Sequence, residues 1–497
     1  MRTLARFSLS LPMAAILTAA NGGDLRLIEA VKKQDTKTAR VLAPRRIGVN
    51  AAEPDGSTAL HWAAHRDDVA IAELLIRSGA RPGAATDTGV TPLHLACNNR
   101  SGVMVELLLK AKADPNAKLF HGETVLMSCA RAGDARAIKA LIAAGAEVNV
   151  KETEHDQTPL MWAAAQKHSE VVRLLLVAGA DLKARSRSRP QTVVGEQTQR
   201  AGREKLNYTV MRGGSTALLF AARTGDVESA KLLLEFGANA NDALADGTPA
   251  LTLAAHSGQT GVGLALLEKG AEPNAMAAGY APLHAAVLRG DLTLVKALLA
   301  RGADPNLRMV KGTPVRRDTM DYNLLAPLIG STPYLLAARF VEADIMRALR
   351  AGGADPNLAM PNGSTPLLLA AGLGLSNRAS RRGIARIDFG KIEPESQVYE
   401  AVKAAIELGG EVNAVSQTGD TALHAAALMG HPSVVQLLAD SRAQINAKNK
   451  QGQTPLKALL SPPPGRRVVV DDDDPTPVRR GPHPQTVALL RKLGATE

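Results

Sequence analysis

Residues 57–68 read STALHWAAHRDD. His61 and His65 stand four apart, so on a helix they share a face, and Asp67 and Asp68 follow. Taken alone, the stretch holds two of the ligands a zinc hydrolase uses. The H-E-x-x-H type also needs a Glu between the histidines as general base. Here the intervening residues are Trp62, Ala63 and Ala64, and no third ligand is apparent. A metal-dependent hydrolase is therefore the remotest alternative. No catalytic residue, metal or cofactor is expected.

The stretch recurs. GSTALHWAA, GVTPLHLAC, GETVLMSCA, DQTPLMWAA, GSTALLFAA, GTPALTLAA, GYAPLHAAV, GSTPYLLAA, GSTPLLLAA, GDTALHAAA and GQTPLKALL share one pattern around a central apolar anchor. The anchors are Leu60, Leu93, Leu126, Leu160, Leu218, Leu251, Leu283, Tyr334, Leu367, Leu423 and Leu456, at steps of 33, 33, 34, 58, 33, 32, 51, 33, 56 and 33 residues. A second motif follows each of the first ten segments, as in LLLKAKADPNA, LLEKGAEPNA and LLARGADPN. The Thr before the anchor reads as a helix N-cap, and Pro in the next slot starts the helix without wasting a donor. The anchor and the Ala-Ala pair three and four residues on share a face. Leu-Leu marks a second helix, Gly ends it, and Asp, Pro and Asn turn the chain back.

The T-P-L-H-x-A signature at a 33-residue period resembles the ankyrin repeat, over about Asp24 to Gly494. The resemblance implies an all-α solenoid of about twelve helix-turn-helix units with finger loops. One unit cannot bury its apolar face alone, so the stack needs caps. The expected organisation is a signal peptide over 1–20, an N-terminal cap over 21–54, and repeats over 55–188, 212–307 and 329–450. A split C-terminal cap covers 451–497. T-A-L-H-W-A-A-H in an early unit also looks like a group of bacterial exported ankyrin proteins.

Four insertions break the period. Two extend finger loops, at 189–211 and 308–328; two separate the helices of one unit, at about 373–397 and 461–484. Growth of surface loops costs little stability, and the alternative is that the fingers arch over a groove and hold a partner. The first finger is basic, with Arg185, Arg187, Arg189, Arg200 and Arg203, and carries Tyr208. It reads as polar and poor in hydrophobic pattern. Asp471 to Asp474 lack the ligand spacing and turn Gly of a calcium loop.

Set against its sister segments, His61 falls in the slot of His94, His284 and His424, where the resemblance implies a structural bond to the adjoining loop. His65 falls in a slot that varies, at the exit of the first helix. In the ankyrin fold these exits line the groove that touches partners. The candidate contacts are His65, Arg66, Asn98, Asn99, Arg131, Gln166, Lys167, Arg223, His256, Arg289, Arg339 and Phe340. Trp62 and Trp162 sit in an apolar slot and read as packing. Cys97 and Cys129 do not make a disulfide framework; one slot out of register on adjacent first helices, they read as buried small residues, with a disulfide as the alternative, which needs Cα atoms within about 7 Å.

Composition bounds the rest. The 497 residues are 45% hydrophobic but 3% aromatic, so the interior is built from Ala, Leu and Val. That leaves no base-stacking platform, and no specific nucleic acid is expected. A net charge of +11 favours anionic partners. Arg2 and Arg6, an apolar run from Leu9 to Ala20 and the small residues Thr18-Ala19-Ala20 resemble a secretory signal peptide; a plain N-terminal helix is the alternative. Cleavage near Ala20 would leave 11 − 2 = +9. The run is too short for a permanent anchor, and no transmembrane segment is expected. The reading is a periplasmic or secreted monomer that holds an acidic protein in its groove, with a cytoplasmic location as the alternative. A second hypothesis is binding of an anionic surface or polyanion through finger 185–212.

Overall fold

The computed structural model describes residues 24–196, 205–312, 328–373, 394–461 and 483–497. The signal-peptide-like stretch 1–20, the calcium-loop test case Asp471 to Asp474, and Arg200 and Arg203 lie outside them. The chain divides into two compact units at Glu154 and His155. Among the described residues the first holds four helix pairs: Arg26–Lys32 with Thr36–Leu42, Ala59–His65 with Val69–Arg77, Pro92–Asn98 with Gly102–Lys110, and Val125–Ala132 with Ala135–Ala143. The described residues of the second hold eight, whose first helices are Pro159–Ala165, Ala217–Thr224, Ala250–Ser257, Pro282–Arg289, Pro333–Arg339, Pro366–Ala370, Ala422–Met429 and Pro455–Leu460.

Helices this short are marginal alone, so capping and stacking must form them. Thr91 Oγ1 accepts from the His94 N–H at 3.4 Å, and Thr124, Thr332 and Thr421 do the same for the residue three further on. Within each unit first helices pack on first helices, and second on second. Every anchor from Leu60 to Leu456 is at most 2% exposed. Burying one such side chain contributes roughly 1.5–3 kcal/mol.

An asparagine sets the register between repeats. Asn274 Nδ2 donates to Gly302 O at 2.9 Å, and its Oδ1 accepts from the Asp304 N–H at 2.8 Å. The same two bonds link Asn50 to Gly79 and Arg81, and Asn116 to Gly145 and Glu147, in the first unit. In the second unit they run without a break through Asn241, Asn274, Asn306, Asn357, Asn413 and Asn446. Fingers are tied tip to tip by backbone bonds, such as Phe120 N–H to Thr88 O at 3.1 Å and Lys450 N–H to Thr418 O at 2.9 Å.

Two expectations change. Finger 185–212 is not featureless. It forms an antiparallel hairpin, β1 (Arg189–Glu196) and β2 (Lys205–Arg212), with Arg189 opposite Arg212 and Glu196 opposite Lys205. The β-branched run TVV and the alternation in LNYTV are the strand signal that its basic composition obscured. The cysteines also differ from expectation: Cys97 and Cys129 form a disulfide between adjacent first helices, both fully buried. Small residues let these helices approach closely, and the one-slot offset sets the two Cα atoms 4.5 Å apart, inside the range a disulfide bridges.

Asn274→Ala removes both bonds of one rung and leaves the Gly302 carbonyl and Asp304 N–H to find other partners. We expect a loss of about 1–3 kcal/mol, seen as a lower urea midpoint at unchanged slope. Reduction, or the pair Cys97→Ala and Cys129→Ala, opens a loop of sequence separation 32. The expected loss is about 3–4 kcal/mol, checked by denaturation with and without reductant. An unchanged midpoint would mean that the bridge adds no stability.

Candidate functional site at the exits of the first helices

The recurring histidine is built into the frame. The Thr58 N–H donates to His61 Nδ1 at 3.1 Å, so the ring is the neutral Nε2–H tautomer, which donates to Val90 O at 3.0 Å. His424 repeats this with Thr421 and Gln453 O, and His284 with Ala281 and Ser331 O. Protonation would abolish the bond at Nδ1. Burial pushes the imidazoles of His61, His94 and His284 down, the last two to about 4, and their bonds to backbone carbonyls only partly offset this. Among the described residues no three His, Cys, Asp or Glu side chains converge as a metal site.

His65 is exposed, its ring edge-on to Trp62 at 5.7 Å. Trp62 is half-buried and does more than pack: its Nε1–H donates to Glu53 at 2.6 Å, and Lys32 Nζ lies 4.6 Å over its ring while pairing with Glu53 at 2.8 Å.

The structure places the remaining candidates in three groups. Gln166, Lys167 and Arg223 are exposed. Others are exposed, or half-buried in the case of Arg289, and also bind the neighbouring repeat. Asn99 Nδ2 donates to Ala64 O and His65 O at 2.9 and 2.8 Å, Arg66 to Lys32 O at 3.2 Å, and Arg289 to Ser257 O at 3.2 Å. Arg131 reaches Asn98 at 3.3 Å and Glu123 at 3.2 Å. His256 is half-buried against Tyr280 at 6.2 Å, and Arg339 is also half-buried. Phe340, expected as a contact, is 8% exposed. It sits just past the first helix Pro333–Arg339, in a slot that turns inward.

The basic finger needs the same correction at its root. Arg185 Nη1 donates to Gly214 O and Ala243 O at 2.7 and 2.9 Å, and its Nη2 pairs with Asp242. Arg187 pairs with Asp156 at 2.8 Å. These two arginines seat the hairpin and do not present free charge at its tip. Arg308 begins the second long finger 25 residues after its anchor, as Arg185 does, and donates to Gly330 O and Ala359 O at 2.7 and 2.9 Å. The shared +25 slot is the signal that composition alone hid. Arg189 is exposed at the start of β1, and Tyr208 lies opposite Val193 in the hairpin.

A family model described as ankyrin repeats in three copies matches residues 27–119, 104–186, 202–277, 218–309 and 395–461. The chain is 36% identical over 107 residues to an ankyrin repeat-containing protein of Schizosaccharomyces pombe, which is 20% of this chain and 52% of that protein. It is 34% identical over 232 residues to Ankyrin repeat and SOCS box protein 16 of Homo sapiens, 43% of this chain and 47% of that protein. It thus spans about half the length of these relatives. The crystal structure of the human ASB11 ankyrin repeat domain matches with a TM-score of 0.40 at 26% identity, over 50% of this chain and 99% of that one.

The buried imidazoles give a pH dependence with a definite sign. Their folded pKa lies below the ordinary value, so the unfolded chain binds more protons wherever the two differ. The stability they supply is full above pH about 6.5 and is lost as pH falls from there toward 4. By pH 5 the loss is about 2 kcal/mol for each of His94 and His284. Urea unfolding at pH 7 and pH 5 checks it; equal midpoints would contradict neutral burial.

Proposed function

The chain belongs to the ankyrin repeat family, and from that premise we propose that it is a non-enzymatic, monomeric scaffold. It holds an acidic partner protein against the first-helix exits and the fingers. One observation carries the reading. The slots that stay constant from repeat to repeat are buried or bonded into the frame, while the exit slot changes identity: it is polar at His65, Asn98, Arg131, Arg223, His256 and Arg339, and apolar or Gly at Ala165, Leu288, Gly372 and Leu428. A preformed surface binds without ordering cost. Among the described residues no helix is long and apolar enough to cross a membrane.

Export to a periplasmic or extracellular space belongs to the proposal. The N-terminal pattern supports it, and so does the buried Cys97–Cys129 disulfide, since such bonds persist in oxidising compartments. The rival reading, a polyanion held by finger 185–212, is weakened by the use of Arg185 and Arg187 as seats.

Capture from envelope extract tests the surface. Charge reversal of Arg131, Arg223 and Arg289 to Glu together should abolish capture while helicity persists. Undiminished capture would remove the exits from the site. Deleting 189–211 should spare it; loss on that deletion alone would favour the finger. For export, the mature N-terminus is expected near residue 21, with both thiols blocked before reduction. A retained Met1 and two free thiols would refute it.

A further inference from the structure

The finger hairpin is a sheet of two strands, so β1 and β2 each have one paired edge and one outer edge. Two strands alone are marginal in water, and a third strand or a packed face steadies them. The next finger does not supply that strand. It is tied to the hairpin at the root, where the Ala245 N–H donates to Gly213 O at 3.3 Å. It then closes in a tight turn, with Leu244 N–H to Thr248 O and Gly247 N–H to Leu244 O both at 2.9 Å. Such a turn is too short to run beside the eight residues of β2.

One proline reveals how the backbone is presented. In an antiparallel ladder, pairs that exchange bonds alternate with pairs whose N–H and C=O point away. Pro190 has no N–H and stands opposite Met211, so this pair is of the second kind. By alternation Met211, Thr209, Asn207 and Lys205 turn their N–H and C=O to the outer edge of β2. On β1 the same set starts with Pro190, which has no donor to give. Proline on an edge blocks further pairing, so β1 is blocked at its root and β2 is not.

The two faces of the hairpin differ as well. Strand residues alternate between faces, and the register puts Val193, Leu206, Tyr208 and Val210 on one of them. Val210 is 8% exposed, whereas Met211, on the other face, is 40% exposed. At the root the apolar face is covered and the polar face is open. An unpaired edge specifies its own ligand, since only another extended backbone matches its row of donors and acceptors. We propose that the outer edge of β2 takes an extended segment of a partner protein as a third, antiparallel strand. Every second residue of that segment bonds the edge opposite Lys205, Asn207, Thr209 and Met211. The residues between them are apolar and continue the Val210 face, and a carboxylate stands opposite Lys205. This site goes beyond the exit surface and does not depend on it.

The full chain is titrated, by fluorescence anisotropy, with the labelled peptide Glu-Val-Thr-Val-Thr-Val-Glu and two N-methylated forms of it. Methyl groups on the threonine nitrogens remove the bonds to β2 and should weaken binding at least about tenfold. Methyl groups on the valine nitrogens, which point away from β2, should change it less than about threefold. In the protein, Thr209→Pro removes a donor from the β2 edge without touching the β1–β2 ladder, and should abolish binding. Thr192→Pro does the same to the β1 edge and should leave binding intact, with the melting temperature of both variants reported. Failure of the parent peptide to bind, equal loss from both methylated forms, or binding indifferent to Thr209→Pro would each overturn the proposal. A chain that sediments as a dimer and becomes a monomer on Thr209→Pro would make a second copy the occupant and overturn it too. Reversing Arg131, Arg223 and Arg289 to Glu should leave peptide affinity unchanged. If that reversal abolishes peptide binding, the peptide sits at the exits and this inference alone falls; if it spares both peptide binding and envelope capture, the exit reading alone falls.

Discussion

In eight places among the described residues one repeat hands a pair of hydrogen bonds to the next through one asparagine side chain, and the register of the array depends on that hand-over. A helix pair has an apolar face that only a neighbour can cover. Apolar contact alone is non-directional and would tolerate slippage along the helix axes. Asn274, bonding a carbonyl and an N–H of the following repeat, permits one register. The anchors and alanine pairs supply the attraction, and the amide fixes where it acts.

Much of this was legible because the repeats are written in one-dimensional spacing. Anchor Leu, capping Thr, N1 Pro and closing Gly act locally, so their slots show by alignment within the chain. Asn274 was visible too, but its local role as a turn residue concealed a longer reach, since both its partners lie about thirty residues on. The disulfide stayed hidden for a different reason. Cys97 and Cys129 sit at unlike slots, and only the close approach of two alanine-rich helices brings them together. The hairpin was masked by composition: arginines drew attention as charge, whereas Arg185 serves as a hydrogen-bond donor to carbonyls.

The exit surface is the part least fixed by these rules. His61 and His65 differ by one helical turn and have opposite fates. The first is closed in on both nitrogens by backbone partners; the second rests against an indole and faces solvent. Pattern identifies which slots are not needed for the frame. Which of those slots also carry a joint between repeats, as Asn99 and Arg289 do, depends on side-chain reach across the stack, and spacing alone does not encode that.

The rung from Asn306 to Gly353 and Asp355 closes over a finger more than twice the usual size, and that from Asn357 to Gly409 and Glu411 over a split unit. Both keep the geometry of their unextended sisters. Length added between rungs is therefore invisible to the frame, as cargo is to a coupling. Such a chain can gain or exchange whole segments over evolutionary time without renegotiating its core, and a designer can treat the same two gaps as grafting ports.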